Sequence, residues 1–172
     1  DHKGDVVGIF GISRDVTDLR NKDARIRESE ERLSQMSTMA GIGAWEYDIE
    51  TGLIHGTVAT AAIHELESMN GIPFTAITDR YTGISSEKLK AALKDAVGLG
   101  RGYELELELV TPKGTCKWVR VAGYPLSDKG IVRRIHGFIQ DVTTIKHSEA
   151  RIYNLANFDG LTGLPNRALI MD

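Results

Sequence analysis

Residues 103–110 read YELELELV, a strict alternation of apolar and acidic side chains. A period of two belongs to a strand with one dry and one wet face. Tyr103, Leu105, Leu107 and Leu109 therefore share a face, with Glu104, Glu106 and Glu108 on the other. The next residues, TPKGT, form a tight turn: Pro112 presets φ and Gly114 takes the left-handed position. CKWVRVAGYPL reads as a second strand, SDKG as a second turn, and IVRRIHGFIQDV as a third strand. Three strands joined by short turns make an antiparallel meander. Its apolar face must be covered, and helices elsewhere in the chain supply the cover, so the fold class is α+β.

Those helices lie upstream. SSEKLKAALKDAVGLG is amphipathic: a serine caps it, Leu89, Leu93, Ala96 and Val97 form its apolar stripe, and Gly98 and Gly100 end it. ATAAIHELESMNG also reads as helical, with Ile63, Leu66 and Met69 on one face and Asn70-Gly71 as its stop. GAWEYDI and LIHGT read as two strands joined by DIETG, where Asp48 closes a side-chain turn and Gly52 supplies positive φ. IPFTAITDRYTG has no regular period. The expected sheet has five antiparallel strands, with helices on one face and linker helices flanking it.

The ending of the third strand occurs twice. Shifting residues 2–26 by 126 onto 128–152 gives 11 identities in 25 positions, among them Gly11/Gly137, Asp15/Asp141, Val16/Val142 and Thr17/Thr143. Chance gives about one in twenty per position, so this is an internal repeat of domain size. Residues 5–16 then read as the last strand of a preceding domain, and residues 17–40 as a helix capped by Thr17. Leu19, Ile26, Leu33 and Ala40 recur every seven residues, as in a paired helix, while Lys22 and Ser29 interrupt the companion row. Glu28 and Arg32 make a favourable i,i+4 pair. A paired helix and a lone linker helix both fit. After the second copy, Thr143 takes the capping role, and Ile145, Ile152 and Leu155 continue the apolar side.

Composition excludes several classes. A hydrophobic share of 41% supports a folded core, and a net charge of −3 speaks against a nucleic-acid surface. No apolar run approaches the roughly 18 residues of a membrane span, and the expected location is cytoplasmic. The single Cys116 excludes an internal disulfide and a multi-cysteine metal site. The chain begins mid-pattern without an initiator Met, which reads as a piece of a longer protein.

With GIGAWEYDIETGLI, the three-strand run from Gly102 and the closing Asp141-Val142-Thr143, residues 41–142 resemble a PAS domain with its PAC half. Residues 1–16 resemble the tail of a preceding PAS domain. Where such domains often carry a His-Pro-acidic segment, this chain has TDRYTGISSEKL. A second resemblance begins at ANFDGLTGLPNR: Asp159, Leu161, Thr162, Asn166 and Arg167 look like the entry to a GGDEF domain, the diguanylate cyclase module that makes cyclic di-GMP from GTP. The implied order is a linker helix over 17–40, the sensor over 41–142, a signalling helix over 143–158 and the start of the output domain at 159–172. Asp141, Val142 and Thr143 would relay the signal from sheet to helix, and residues 159–167 would pass it on. That family's catalytic acids lie further along its sequence, so no catalysis is expected from these 172 residues.

A PAS resemblance implies a small-molecule pocket between sheet and helices. Candidate lining residues are Trp45, Tyr47, His64, Phe74, Tyr103 and Leu105, each equally suited to plain core packing. A lone helical histidine such as His64 is more often structural than a haem ligand, and Cys116 beside a hairpin turn is misplaced for covalent flavin chemistry. No motif requires a cofactor or a metal. The acidic row of Glu104, Glu106 and Glu108 is expected to pair across strands with Lys117, Arg120, Arg133 or Arg134. The expected partner is a second copy of the chain through the linker helices. The rival to sensing is a ligand-free dimerising spacer.

Overall fold

The structure is a computed structural model that describes residues 32, 35–128, 130–158 and 166. Its contacts separate Asp1–Leu33 from a second unit, Ser34–Asp172, which holds nearly everything described. The strand over 5–16, the Thr17 cap, the stripe of Leu19, Ile26 and Leu33, Glu28 of the expected pair with Arg32, and Asp159, Leu161, Thr162 and Arg167 lie outside the described residues.

Among the described residues, six strands form one antiparallel sheet. They are β1 (Ile42–Asp48), β2 (Leu53–Gly56), β3 (Asn70–Pro73), β4 (Tyr103–Val110), β5 (Cys116–Asp128) and β6 (Ile131–Asp141), in the order β3-β2-β1-β6-β5-β4. The expected meander is β4-β5-β6, with Leu107 opposite Val119 and Val121 opposite Ile139. The β1–β2 turn also forms as expected: Asp48 Oδ1 accepts from the Thr51 amide at 2.9 Å, and Gly52 has φ of 71°. Leu107, Leu109, Val119, Ile135 and Ile139 are all but inaccessible to water and form the centre of the core. Burial of each such side chain is worth about 1.5–3 kcal/mol.

Among the described residues, the helices with both ends defined are α1 (Val58–His64), α2 (Phe74–Thr78), α3 (Gly83–Leu99) and α4 (Thr143–Asn157). Helix α1 packs on β1 and α3 on β4, so they cover the apolar face. The expected five-stranded count is one short. The segment read as one long helix ends at His64, because Glu65 adopts the left-handed conformation (φ 55°, ψ 41°) and its amide bonds back to Ala61 and Ala62. The chain then returns as β3, which pairs with β2. Met69 is nevertheless buried, as its apolarity suggests. The serine expected to cap α3 does not do so: Thr82 is the N-cap, and Ser85 Oγ accepts from the Glu108 amide at 2.9 Å. On α3, Leu89 and Ala96 are buried, whereas Val97 is exposed.

The acidic row of β4 pairs more narrowly than expected. Arg120 meets Glu104 and Glu106, whereas Arg133 meets Glu50 and Asp128, and Arg134 meets Glu46. Lys117 turns away to the far end of α1. Trp118 lies on the outer face, as the alternation requires, and Lys146 of α4 sits 5.8 Å from its ring centroid. Glu106 also pairs with Lys146, so the first turns of α4 are tied to β4 and β5. Trp118→Ala should thus lower stability by about 1–2 kcal/mol, since the ring is half covered. An unchanged melting temperature would show that the ring supports nothing.

Candidate functional site: a core cavity and the joint to the last helix

Between sheet and helices lies a cavity walled by Trp45, Ile54, His64, Met69, Phe74, Tyr81 and Tyr103, among others. It leaves about 20 Å³ for the centre of a water molecule. Its floor depends on glycine. Gly123 and Gly137 face each other across β5 and β6, and Gly137 also faces Trp45 across β1. A Cβ on Gly137 would stand 2.8 Å from Trp45 Cζ2, and one on Gly123 would stand 2.5 Å from Tyr103 Cζ. The two aromatic rings can therefore lie down on bare backbone. Gly43 does the same for α1: a Cβ there would stand 2.4 Å from the Thr60 amide nitrogen.

Of the six expected lining residues, Trp45, His64, Phe74 and Tyr103 are brought together in the wall. Tyr47 stacks on Phe74 with ring centroids 3.9 Å apart. Tyr47 and Leu105 pack against the same core but are not part of the lining. The reading of residues missed Tyr81, Thr60 and Thr78. Tyr81 falls in the segment without regular period, where a turn after α2 and a bridge to Leu109 hold it.

Electrostatically the cavity is neutral. Burial, with help from the nearby Arg80 and Lys117 charges, lowers the His64 imidazole pKa to about 4. Burial raises the Tyr81 and Tyr103 hydroxyls above their usual range. Two polar atoms of the wall are buried without a hydrogen-bond partner: Trp45 Nε1 and His64 Nδ1. A buried donor or acceptor left unmade costs about 1–3 kcal/mol, which a bound water or small molecule would recover.

The end of α1 that carries His64 is connected to the last helix. Lys117 Nζ donates to the Ile63 carbonyl at 3.0 Å and lies 3.7 Å from both Glu65 and Asp141. Glu65 also accepts from Thr111 Oγ1 at 2.7 Å and Thr115 Oγ1 at 3.3 Å; the Thr111 bond is the largest cause of its lowered pKa. Asp141 Oδ1 in turn accepts from the Thr143 amide at 3.0 Å. Thr143 is thus the first residue of α4 rather than its cap: Val142 is the N-cap, and it makes no side-chain capping bond. Thr143 Oγ1 instead accepts from the Trp118 amide at 3.0 Å, and Val142 is buried. Asp141 at the end of β6, with Val142 and Thr143 that follow it, therefore joins sheet, α1 and α4 at one point. At the far end of α4, Asn166 donates through its amide to the Asn157 carbonyl at 2.8 Å and through its side chain to Ala156.

Among the described residues no cluster of histidine, cysteine or carboxylate is suited to hold a metal, and no helix is long and apolar enough to cross a membrane.

No protein-family model matches the chain, and no curated protein matches it. Solved structures do. A sensory box histidine kinase/response regulator from Burkholderia thailandensis superposes with a TM-score of 0.58 at 24% identity, over 71% of this chain and 92% of that one. The N-terminal domain of a diguanylate cyclase with PAS/PAC sensor from Marinobacter aquaeolei gives 0.57 at 16% identity, over 62% and 99%. A domain of a putative light and redox sensing histidine kinase from Haloarcula marismortui gives 0.53 at 17% identity, over 66% and 99%. At these identities the likeness speaks for architecture, and with the strand order and the helix-covered face it establishes that the chain has the PAS fold.

Proposed function

We propose that this chain is a sensory PAS module that dimerises through its linker helices and regulates a diguanylate cyclase output domain making cyclic di-GMP from GTP. The observation that carries the reading is the Lys117 joint. One side chain touches both the end of the cavity helix and the aspartate that accepts from the first amide of α4. Occupancy of the cavity that shifts α1 would alter the hold on α4, and a ligand acts only through such a difference between two states. The output assignment rests on the resemblance of residues 159–167 to the entry of a GGDEF domain. Dimerisation is supported by the apolar side of α4, where Ile145, Ile152 and Leu155 are exposed, and by the seven-residue spacing of Leu19, Ile26 and Leu33.

The test is made in the protein that carries the output domain. Lys117→Met should change cyclic di-GMP production from GTP and Mg²⁺ by several-fold while the circular dichroism of the sensor is retained. Production equal to wild type would break the proposed link. Dimerisation is tested separately on the 172-residue chain. Ile26→Glu plus Leu33→Glu should move light-scattering mass towards monomer, and a double variant that dimerises as well as wild type would remove the linker from the interface.

A second reading, the ligand-free dimerising spacer, is favoured by the smallness of the cavity. It differs in one outcome: no small molecule would bind there.

A further inference from the structure

Resting on the reading of the core cavity as the sensing site, we propose that its ligand is an uncharged molecule of a few heavy atoms, of the amide class, hydrogen-bonded by Trp45 and His64. The polar inventory of the wall leads there. Thr60 Oγ1 is engaged with the Ala44 carbonyl at 2.6 Å, and Thr78 Oγ1 with the Thr75 carbonyl at 3.1 Å. Besides the Tyr81 and Tyr103 hydroxyls, the wall holds two polar atoms that are sealed from water and unpartnered: one fixed donor, the Trp45 indole N–H, and His64 Nδ1, donor or acceptor by tautomer. An amide carries both complementary functions: a carbonyl that accepts from an indole N–H and an N–H that serves an imidazole nitrogen.

Charge is excluded by what the wall lacks. The lining contains no lysine, arginine, aspartate or glutamate. The nearest cations are committed elsewhere: Arg80 Nε donates to the Ala76 carbonyl at 3.0 Å, and Lys117 holds Ile63, Glu65 and Asp141. A carboxylate or phosphate placed here would lose its hydration and gain no counter-charge. Size is bounded as well. Room of about 20 Å³ for a water centre is little more than one water needs, so a fused-ring cofactor such as a flavin does not enter the cavity in this form. Met69, unbranched and pliable, is the wall residue that can yield to three or four heavy atoms.

The experiment uses the 172-residue chain labelled with ¹⁵N. It has two tryptophans and so two indole N–H signals, Trp45 inside and Trp118 outside, told apart by Trp118→Phe. Acetamide and acetate, alike in shape and differing in charge, are titrated at neutral pH to about 100 mM, because so few atoms bind weakly. Acetamide should move the Trp45 signal saturably and leave Trp118 unmoved, with acetate weaker by about 100-fold. If acetate binds at Trp45 as well as acetamide, the neutral-ligand inference falls while the sensing cavity stands. If neither moves the Trp45 signal saturably, or both move the two indoles alike, the amide inference falls, and the sensing reading is then decided by the Lys117→Met test.

Discussion

Gly137→Ala should leave the chain unable to hold its native fold, at a cost of roughly 3 kcal/mol or more. The methyl group would stand 1.8 Å from the Ala122 carbonyl oxygen and 2.8 Å from Trp45 Cζ2. Neither neighbour can give way. The carbonyl belongs to β5, in the middle of the sheet, and the indole is pinned between β6 and the cavity. A shift of β6 would also disturb its pairing with β1, where Gly137 faces Trp45. Gly98→Ala is the control. It lies inside α3 with no atom within 4 Å of the added carbon and without positive φ, so alanine should be neutral or stabilising by about 0.5–1 kcal/mol. Thermal melts followed by circular dichroism distinguish the two. A Gly137→Ala chain that melts like wild type would contradict the close approach on which the cavity floor depends.

Stability should fall steeply as pH drops from 6.5 towards 4, and His64 should be the cause. The unfolded chain takes up the imidazole proton near 6.5, whereas burial delays uptake in the folded chain to about 4. Between those values the unfolded state binds more protons, so stability rises with pH. The contribution is complete above 6.5 and is lost as pH falls to the folded value. Protonation of the unfolded state alone tilts the equilibrium by about 1.4 kcal/mol per pH unit, or about 3 kcal/mol across the window. Glu65 and Glu106 also have lowered pKa values, from the hydrogen bonds of Thr111 and of Lys146 respectively, but such carboxylates are felt below their ordinary 4.5. The upper part of the window therefore belongs to the histidine. Urea titrations at several pH values should show this slope in wild type and a nearly flat profile between 4.5 and 6.5 for His64→Leu. A slope that survives the substitution would assign it elsewhere.

The parts legible in the sequence are those governed by nearest neighbours along the chain. The alternation of residues 103–110 places Leu107 and Leu109 in the core because a strand's side chains must point to opposite sides. Asp48 and Gly52 make their turn by bonds and torsions within a few residues. The internal repeat marks Gly137 and Asp141-Val142-Thr143 as positions with a shared task, without saying what the task is.

Tertiary packing decided the rest. No local signal stops a helix at Glu65, since glutamate in a left-handed conformation is disfavoured on its own. Lys117, Thr111 and Thr115, from 46 or more residues away along the chain, hold its carboxylate there. The short β3, built from Asn-Gly-Ile-Pro, has poor strand propensity and exists because the β2 edge offers it hydrogen bonds. Lys117 is among the residues expected to join the acidic row of β4, although its alternation with Val119 and Val121 already sets it on the other face. It lies on the cavity side of β5, opposite Leu109, and so meets α1 and Asp141 instead. The cavity, too, is a product of folding: Trp45 and Tyr103 lie over glycines brought beneath them from 92 and 20 residues along the chain. Periodicity and turn chemistry determined which faces must be dry; only the folded sheet determined which side chains meet on the dry face, because those meetings depend on strand order and register across long loops of sequence.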